Sequence, residues 1–583
     1  MQIPANLECV PPLHGLLTLP DETAQKERGV VICAPLGHQN TCAYRPLRSL
    51  AERLAETGYP VLRFDWPGCG DSGNPAPGVA TDWVGVVDQA IQTLTSMAGV
   101  SDVTLIGIGA GATFAAAASG NPGVSALILL SPFATGKSVL HELRAFDRLA
   151  GRHSAEAHGA DIGLRPGDLE ASGFVLRAED VAGVGAIDIP ANLASITVAA
   201  RRVLILSAQP DRGATQLFAF FSDSVPDVDT RLVPEVASIC DAPDVSVFPR
   251  SCSDLVLSWL ADDGAGFMPS ARPPSSRRLL CPRSDVREET VILDGPNGHL
   301  VGVVCESVIP GRSATNDWLL FLNAGAVRRS GPHRLWTEFA RIWAARGLNS
   351  LRIDVSGVGD SDDPRALDET HGADVGRFYT GDILGDIRSA LSWLDDRGAA
   401  RVGTLGLCSG AYWSFHAALA GEGLATIVMA NPATLFWDEH VHPANTLSHA
   451  GGILRSPRSW HRIVRRGARE QVGTVMRGMR TKLNVTAQHK HYRDDITEAV
   501  ALLAERKLPA QIVFSEGDLG LLYLKRHLGA EYRTLLESHG MTLDIIQGPD
   551  HTFTPVWSHA VLRETVERHL ERVGLLARGP GAG

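Results

Sequence analysis

The chain has 583 residues, and single hydrophobic cores stop growing at roughly 250 to 300 residues, so two large domains are expected. Hydrophobic residues make up 44% of it and charged residues 20%, a globular composition that excludes the disordered and fibrous classes. The net charge of −11 is mild for this length and argues against nucleic acid or an anionic membrane as a partner.

Cysteine usage and hydropathy favour an intracellular protein without a membrane anchor. The nine cysteines are scattered without a Cys-x-x-Cys pair, which predicts reduced thiols rather than a disulfide framework or a zinc site. No stretch approaches the roughly 20 apolar residues that a membrane span requires, and the first residues lack a signal-peptide pattern. We therefore expect a cytoplasmic protein with no membrane span.

The chain repeats one series of elements in its two halves. Residues 46–73 predict a helix, a short apolar strand and a Gly-x-Gly-Asp-Ser turn, and residues 332–362 predict the same elements in the same order. Residues 103–111 and 402–410 each predict an apolar strand that runs into a glycine-rich turn and an alanine-rich helix. Apolar strands that alternate with helices favour a mostly parallel sheet covered on both faces. The predicted fold class is therefore α/β, with two tandem domains of this kind.

The domain boundaries are predicted from composition. Residues 1–265 form the first predicted domain, and residues 289–583 form the second. Between them, residues 266–288 are rich in Pro, Ser and Arg without an apolar period, which indicates a linker. Each domain also contains a long helical insertion, at residues 136–200 and 437–506, and we expect these two segments to be lids.

The second half contains a turn suited to nucleophilic catalysis. Residues 406–410 read Gly-Leu-Cys-Ser-Gly between a predicted strand and a predicted helix. Small flanking residues allow the sharp bend that exposes the middle side chain of such a turn. This spacing selects Cys408 rather than Ser409 as the nucleophile, because Ser409 directly precedes Gly410 and would leave no residue between nucleophile and glycine. The alternative for Cys408 is a buried structural thiol, which is common in cores.

Two later residues complete a predicted catalytic triad. Asp518 follows a late apolar strand and His551 comes after it, which gives the chain order nucleophile, acid, histidine. In this hypothesis Cys408 attacks a carbonyl carbon, and His551 takes the thiol proton and later returns it. Asp518 would hold the imidazole in the right tautomer and stabilise its cation.

The oxyanion of such a reaction needs preorganised backbone donors. The amide of Ser409, directly after the nucleophile, is one candidate. The loop of residues 321–326 follows the first core strand of the second half and can supply another donor from Ala326 or Gly325. We favour Ala326.

On these motifs the second half resembles an α/β-hydrolase from about residue 289 to residue 575. The tandem arrangement, with the segments NAG, RSGPHRL and RIDVSGVGDSD, resembles bacterial hydrolases associated with exosortase and exopolysaccharide systems. The cysteine in place of the usual serine is similar to the elbow of dienelactone hydrolases and polyhydroxyalkanoate synthases. The resemblance implies two tandem α/β-hydrolase domains and an enzyme that acts on acyl groups.

The first half lacks the residues for this chemistry. Its equivalent turn places Gly109 where Cys408 stands, so it has no nucleophile. Asp211 is present, but the segment that aligns with the histidine region has Val245 at the histidine position. We expect this half to keep the fold without covalent catalysis and to provide support, substrate gating or partner binding. His38, in the loop equivalent to the oxyanion loop, is interpreted as a relic.

Basic residues of the second lid are candidates for docking an anionic acyl donor. Eleven Lys or Arg lie between Arg455 and Arg493 against a single acid. We predict that Arg465 and Arg466 help to bind coenzyme A or an acidic acyl carrier protein beside Cys408. The alternatives are a solvated helical face or a contact with the acidic insertion of the first half.

A second basic group follows the oxyanion loop. Arg329 and His333 are candidates for orienting an anionic group of the substrate. For Arg334 we slightly favour a structural ion pair with Asp354 or Asp360.

Three classes of function remain. The first is a cysteine-dependent acyltransferase or thioesterase acting on a small-molecule acyl substrate, with coenzyme A or a carrier protein as possible donor. The second is an ester or lactone hydrolase that uses the same triad, and the third is a non-enzymatic scaffold, which the intact triad disfavours. No cofactor motif is visible, and His489 and His491 lack a third ligand at usable spacing, so no metal is expected.

Overall fold

The computed structural model describes residues 2–7, 9, 11–20, 25–149, 164–192, 197–261, 266–268, 278–279, 285–309, 316–362, 375–379, 383–437 and 485–578. The strands of the first half are β1 (Gln2–Pro4), β2 (Gly15–Thr18), β3 (Gln25–Lys26), β4 (Arg28–Cys33), β5 (Val61–Phe64), β6 (Asp102–Ile108), β7 (Val124–Leu130), β8 (Leu169–Ala171), β9 (Phe174–Leu176), β10 (Arg202–Ser207) and β11 (Asp227–Leu232). Eight of them form one sheet in the order β1-β2-β5-β4-β6-β7-β10-β11. Strands β1 and β2 are antiparallel to their neighbours, and the strands from β5 to β11 in this order run parallel.

The rest of the chain forms a second sheet with the same plan. The remaining strands of the chain, all in this sheet except the first, are β12 (Phe267–Met268), β13 (Arg278–Leu279), β14 (Val286–Gly295), β15 (Gly298–Ser307), β16 (Asp317–Leu322), β17 (Asn349–Ile353), β18 (Arg401–Leu407), β19 (Thr426–Ala430), β20 (Ala510–Ser515) and β21 (Met541–Ile546). The order is β13-β14-β15-β17-β16-β18-β19-β20-β21, and its parallel part, from β17 to β21, repeats the order of β5 to β11. The predicted pair of mostly parallel α/β sheets is thereby confirmed.

Helices cover both faces of each sheet, as the apolar strands predict. The helices are α1 (His38–Glu56), α2 (Trp83–Ala98), α3 (Ala110–Ala117), α4 (Gly136–Leu149), α5 (Ala178–Gly185), α6 (Ile189–Asn192), α7 (Arg212–Ser222), α8 (Arg250–Ala261), α9 (Leu335–Ala344), α10 (Ile383–Asp396), α11 (Ser409–Ala420), α12 (Val485–Glu505), α13 (Leu519–Leu528), α14 (Tyr532–Ser538) and α15 (Val556–Arg572). Helices α2 and α3 lie on one face of the first sheet and α1 and α8 on the other. Helices α10, α11 and α12 cover one face of the second sheet, and α9 and α15 cover the other. Within the described residues, no helix is both long and apolar enough to cross a membrane.

The predicted linker and lids differ from the structure in three respects. Strand β14 begins inside the predicted linker, and Glu288 there is fully buried. The first insertion is not wholly helical, because the hairpin β8–β9 follows α4. The end of the second insertion is the long helix α12, which packs Ile496 and Val500 into the core and so is part of the domain body. Residues 438–484, the rest of that predicted lid, lie outside the described residues.

The two Gly-x-Gly-Asp-Ser turns meet at the boundary between the halves. Arg63 in β5 pairs with Asp360 of the second turn at 3.0 Å. Arg352, at the equivalent position in β17, pairs with Asp71 of the first turn at 2.8 Å. All four side chains are buried. The two ion pairs are thus related by approximate twofold symmetry, as at an isologous dimer interface.

The first helices of the two halves extend this symmetry. Arg48 of α1 donates to the carbonyl oxygen of Ser361 at 2.6 Å. Arg334, just before α9, donates to the carbonyl oxygen of Ser72, the equivalent serine of the first turn. Arg334 also forms an ion pair with Glu338 at 2.9 Å. The predicted structural ion pair of Arg334 is thus present, but its partner is neither Asp354 nor Asp360.

Arg329 lies at the centre of the boundary. Its guanidinium contacts Asp71 at 3.0 Å, Asp354 at 2.6 Å and Asp360 at 2.8 Å, and its side chain is fully buried. Two of these carboxylates belong to the second half and one to the first. Arg329 therefore links the turns of both halves.

Three potential metal ligands at this boundary are engaged by arginines. His14, Asp65 and Asp71 place ligand-type atoms within 4.8 Å of one another. Asp65 accepts two hydrogen bonds from Arg328, at 2.6 and 3.0 Å, and His14 Nε2 lies 3.2 Å from Arg329. The cluster is thus the anionic part of an ion-pair network between the halves.

Candidate active site

Cys408 lies at a sharp turn between β18 and α11. Its φ of 58° is in the left-handed region, where a non-glycine residue is strained. A Cβ on Gly406 would lie 2.1 Å from the backbone of Gly410, and a Cβ on Gly410 would lie 2.6 Å from the carbonyl oxygen of Asn323. Both flanking positions therefore require glycine, and the bend presents the thiol beyond the carboxyl end of a central parallel strand.

The structure brings His551 and Asp518 to Cys408. Asp518 follows β20 and caps α13 by accepting a hydrogen bond from the amide of Gly520 at 2.8 Å, which fixes its orientation. Its Oδ2 lies 2.5 Å from Nδ1 of His551. The imidazole is close enough to the Cys408 thiol for the charges of the two groups to act on each other. The Asp518 side chain is 1% exposed and that of His551 38%, so solvent reaches the imidazole but not the carboxylate.

The loop that carries the histidine is fixed by buried hydrogen bonds. Asn431, directly after β19, donates to the carbonyl oxygen of His551 at 2.8 Å. Ser515, at the end of β20, donates to the carbonyl oxygen of Asp550 at 2.9 Å. The ends of two adjacent parallel strands thereby set the height of the imidazole above the sheet.

Electrostatics at this site favour a thiolate and an imidazolium. Burial disfavours both charged forms, but the charge of His551 and hydrogen bonds from His551 and Tyr379 hold the pKa of the Cys408 thiol below its usual range. Desolvation of the partly exposed imidazole lowers the pKa of His551, but the charges of Cys408 and Asp518 outweigh it and raise this pKa well above its usual range. A thiolate is the reactive form of cysteine, so the arrangement prepares the nucleophile before substrate binds.

Tyr379 is a site residue that the sequence analysis missed. Its hydroxyl lies 3.5 Å from Sγ of Cys408. The ring stacks on Trp437 with 4.3 Å between centroids and meets Tyr412 edge-on at 5.2 Å. Burial and the neighbouring Cys408 raise the pKa of Tyr379 well above its usual range, so the phenol stays protonated and can donate to the thiolate. It follows the one-turn helix Val375–Phe378, which has no sequence motif to mark it.

The predicted oxyanion residues lie beside the nucleophile turn. Ser409 is 4% exposed, and its hydroxyl accepts a hydrogen bond from the amide of Gly325 at 2.9 Å. The loop from Ala324 to Val327 has its two ends paired with each other. The hydrogen bond of Ser409 therefore holds this loop against the start of α11. Ala326 lies within this tied loop.

The structure corrects the assignment of Arg329 and His333 to substrate binding. The three aspartates described above surround Arg329, which leaves no exposed guanidinium for a substrate. His333 is buried between the halves and lies 3.2 Å from the hydroxyl of Thr554. Burial lowers the pKa of His333 well below its usual range, so the imidazole is neutral. The predicted docking residues Arg465 and Arg466 lie outside the described residues.

The first half keeps the shape of this site without its reactive groups. Gly109 has a φ of 55°, close to that of Cys408. Asp211 caps α7 through the amides of Gly213 and Ala214, just as Asp518 caps α13. His38, in the equivalent loop, is half-buried, and its ring lies 6.0 Å from that of His333 across the boundary.

Comparison with known proteins agrees with this architecture. Residues 31–303 match the model of the family described as "Alpha/beta hydrolase family". The chain contains an α/β-hydrolase domain. The matched stretch covers most of the first half and reaches into β15, and it supports an enzyme of the hydrolase type. No curated protein sequence matches the chain.

Solved structures with similarity to one half of the chain are also α/β-hydrolases and esterases by name. An α/β serine hydrolase without a lid from Xanthomonas campestris is 16% identical, with a TM-score of 0.30, over 50% of this chain and 97% of that one. An esterase from Pyrococcus furiosus is 13% identical, with a TM-score of 0.33, over 49% and 92%. A dienelactone hydrolase from Anabaena variabilis is 14% identical, with a TM-score of 0.29, over 49% and 98%.

Proposed function

We propose that the second half is a cysteine-dependent acyl-transfer enzyme, an acyltransferase or thioesterase, that forms a covalent acyl-enzyme at Cys408. The proposal rests above all on the pairing of His551 with Asp518, with 2.5 Å between imidazole and carboxylate, at a place where the charge of His551 lowers the pKa of the Cys408 thiol. The substrate is a small-molecule acyl compound, and coenzyme A or an acyl carrier protein is the proposed acyl donor. A thioester suits this site because a thiolate exchanges readily with another thiol leaving group.

The reaction has two steps. In the first, the thiolate of Cys408 attacks the carbonyl carbon, and His551 donates its Nε2 proton to the leaving thiol or alcohol as that bond breaks. In the second, the now neutral His551 takes a proton from water or another acceptor, which attacks the acyl carbon and releases Cys408 as a thiolate. Asp518 stays ionised and stabilises the imidazolium before the first step and after the second.

Backbone amides stabilise the oxyanion in this proposal. The amide of Ser409 opens α11, where the helix dipole adds partial positive charge. The amide of Gly325 already donates to the Ser409 hydroxyl, which favours Ala326 as the second donor. Tyr379 contacts Sγ itself and is therefore proposed to hold the resting thiolate.

Hydrolysis of esters or lactones by the same triad is the second candidate function. The 38% exposure of the His551 side chain favours it, because water can reach the general base and attack the acyl-enzyme. Both candidates share every residue of the first step and differ in the acceptor of the second.

Intact-protein mass spectrometry tests the common step. The protein is incubated briefly with acyl thioesters and activated esters, and the wild type is compared with Cys408→Ala and with Ser409→Ala as the matched control. We expect an acyl adduct in the wild type and in Ser409→Ala, and none in Cys408→Ala. An adduct that persists in Cys408→Ala would exclude the proposed nucleophile. Adding alcohols, amines or thiols to the acylated protein then separates transfer from hydrolysis.

A further inference from the structure

The loop that carries His551 is strained and is fixed by contacts from outside it. We call residues 550–555, between β21 and α15, the histidine loop. Phe553 in this loop has a φ of 56°, in the left-handed region that a non-glycine residue adopts only where its surroundings hold it there. Its side chain is fully buried and anchors the loop to the body of the second half. The position of His551 therefore depends on the groups that surround this loop.

Two histidines of the second half support the histidine loop. Nε2 of His559, in α15, donates to the carbonyl oxygen of Phe553 at 2.9 Å. Nε2 of His333 lies 3.2 Å from the hydroxyl oxygen of Thr554. The two imidazole rings are stacked with 6.0 Å between their centroids. Desolvation lowers the pKa of His559 to about 4 and the pKa of His333 well below its usual range, so both act as neutral hydrogen-bonding groups.

The first half reaches the same loop through the hairpin β8–β9. Glu170 of β8 accepts a hydrogen bond from the amide of Val556 at 2.9 Å. Val556 is the first residue of α15 and directly follows the histidine loop. The residue at the helix cap is Pro555, whose side chain has no hydrogen-bonding group. The carboxylate of Glu170 therefore supplies the acceptor that this helix start needs, and its negative charge suits a helix N-terminus.

The turn of the hairpin packs directly against the histidine loop. Gly173 lies in this turn, and a Cβ there would lie 2.8 Å from the carbonyl oxygen of Thr554 and 2.4 Å from Nδ1 of His333. The ring of Phe174 meets the ring of His333 edge-on, with 6.0 Å between centroids. Both Gly173 and Phe174 are buried. The hairpin thus fits against the loop only with glycine at position 173.

We propose that the hairpin β8–β9 of the first half positions the general base of the second half, with Glu170 and Gly173 as positioning residues for His551. This inference rests on the proposed function for the role of His551. Desolvation raises the pKa of the Cys408 thiol and the charge of His551 lowers it, so a displaced imidazole leaves a less acidic thiol. The half without a nucleophile therefore takes part in catalysis through its hairpin.

The rate of Cys408 alkylation measures this positioning without a substrate. The full-length protein is treated with iodoacetamide as a function of pH, and modification of the Cys408 peptide is quantified by mass spectrometry. We expect Glu170→Ala to slow alkylation at neutral pH about tenfold and to move the pH profile upward, because the thiolate is the form that reacts. Glu179→Ala is the matched control, because Glu179 pairs with Arg165 of the same insertion at 2.7 Å. Equal pH profiles in the wild type and in both variants overturn the proposal.

Two further variants show whether Glu170 acts through its hydrogen bond to Val556. Glu170→Gln keeps an acceptor oxygen and should stay within about threefold of the wild-type rate. Val556→Pro removes the donor, and Pro555 already has the extended conformation that a residue before proline adopts, with φ −63° and ψ 127°. We expect Val556→Pro to slow alkylation as Glu170→Ala does, and the double variant to be no slower than either. If Glu170→Ala slows alkylation equally with and without Val556→Pro, Glu170 acts by another route and the proposal fails.

Hydrogen exchange separates a displaced loop from a destabilised protein. In Glu170→Ala the peptide that contains the histidine loop should exchange faster, while thermal unfolding stays close to that of the wild type. Gly173→Ala places a Cβ against Thr554 and His333 and should speed exchange in the same peptide. Faster exchange spread evenly over both halves, or unchanged exchange of this peptide in both variants, contradicts a positioning role.

Turnover with acyl thioesters connects the positioning to the proposed reaction. A displaced general base weakens the proton transfers but not the binding of substrate, so we expect Glu170→Ala to lower kcat about tenfold and to change KM less than about twofold. A higher KM with unchanged kcat would assign the hairpin to substrate binding and overturn the proposal. If no thioester or ester acylates Cys408, the proposed function fails, and the alkylation and exchange measurements still decide whether the hairpin positions His551.

Discussion

Replacing Arg329 by methionine tests whether the boundary between the halves depends on its buried ion pairs. The side chain is fully buried and contacts three carboxylates at 2.6 to 3.0 Å. Methionine fills much of the same volume without a charge. The substitution therefore leaves buried negative charge with fewer partners and changes the packing little.

The magnitude follows from the partners that remain. Removing one member of a buried ion pair costs about 3 to 5 kcal/mol, because the other charge stays buried and uncompensated. After the substitution Asp71 is still paired with Arg352 at 2.8 Å, and Asp360 is still paired with Arg63 at 3.0 Å. Asp354 therefore loses the largest share of its compensating charge. Its remaining contacts are neutral donors, the Asn323 amide at 3.2 Å and two backbone amides. We therefore expect the free energy of unfolding to fall by about 3 kcal/mol, the lower end of that range.

Urea unfolding followed by tryptophan fluorescence measures this loss. Arg231→Met is the control, because its ion pair with Asp229 is exposed and its removal should change stability by less than about 0.5 kcal/mol. The double variant Arg329→Met/Asp354→Asn removes the isolated charge as well and should recover at least about 1 kcal/mol relative to additivity. A loss below about 1 kcal/mol in Arg329→Met, or strict additivity in the double variant, would refute the reasoning.

Three further outcomes are expected. Tyr379→Phe should slow alkylation of Cys408 by iodoacetamide about tenfold below neutral pH, because the thiolate loses a charged hydrogen bond. Equal alkylation rates in Tyr379→Phe and in the control Tyr412→Phe would contradict this. Gly109→Cys, in a protein with Cys408→Ala, should fold with some backbone strain, because φ is 55° there but the nearest atoms to a Cβ lie 3.8 Å away and Cys408 adopts nearly the same φ. It should show no turnover with acyl thioesters for lack of an imidazole. Burial opposes ionisation of Asp71, but two arginines outweigh it and hold the pKa of Asp71 well below 3.8. In acid the unfolded chain therefore binds more protons than the folded chain. The free energy of unfolding should fall as the pH drops below about 4. In urea titrations from pH 6 to pH 3 that fall should be shallower for Asp71→Asn, and an unchanged slope would count against the network.

The triad could be predicted because its signals are local. Cys408, Asp518 and His551 each follow a strand of the second sheet, and the carboxyl ends of parallel strands meet at one edge. A glycine-flanked turn and a late strand that ends in an aspartate are visible in a few residues each. The order of the strands in the sheet then brings these three residues close together, so no long-range contact has to be predicted.

Tyr379 and the arginines could not be predicted in this way. Tyr379 is placed by its contacts with Trp437 and Tyr412, which join three separate segments of the chain. Arg329 follows the oxyanion loop in the sequence, yet its side chain turns away from the site because three aspartates at the boundary neutralise it. A charged residue that follows the predicted oxyanion loop in the sequence can point towards the candidate site or away from it.

The two Gly-x-Gly-Asp-Ser turns do more than connect elements of the fold, because they also form contacts between the halves. In each half a glycine approaches the carboxylate of the preceding aspartate so closely that a Cβ on Gly70 or Gly359 would lie about 2 Å from it. Asp65 accepts hydrogen bonds from Arg328 of the second half, whereas Asp354 pairs with Arg329 of its own half. The second turn receives a charge of the first half at Asp360, which pairs with Arg63 at 3.0 Å. Loss of the first turn would leave the buried Arg352 and Arg329 of the second half without the carboxylate of Asp71. The first half therefore has a structural role that needs neither a nucleophile nor a histidine: its aspartates neutralise the buried arginines of the second half.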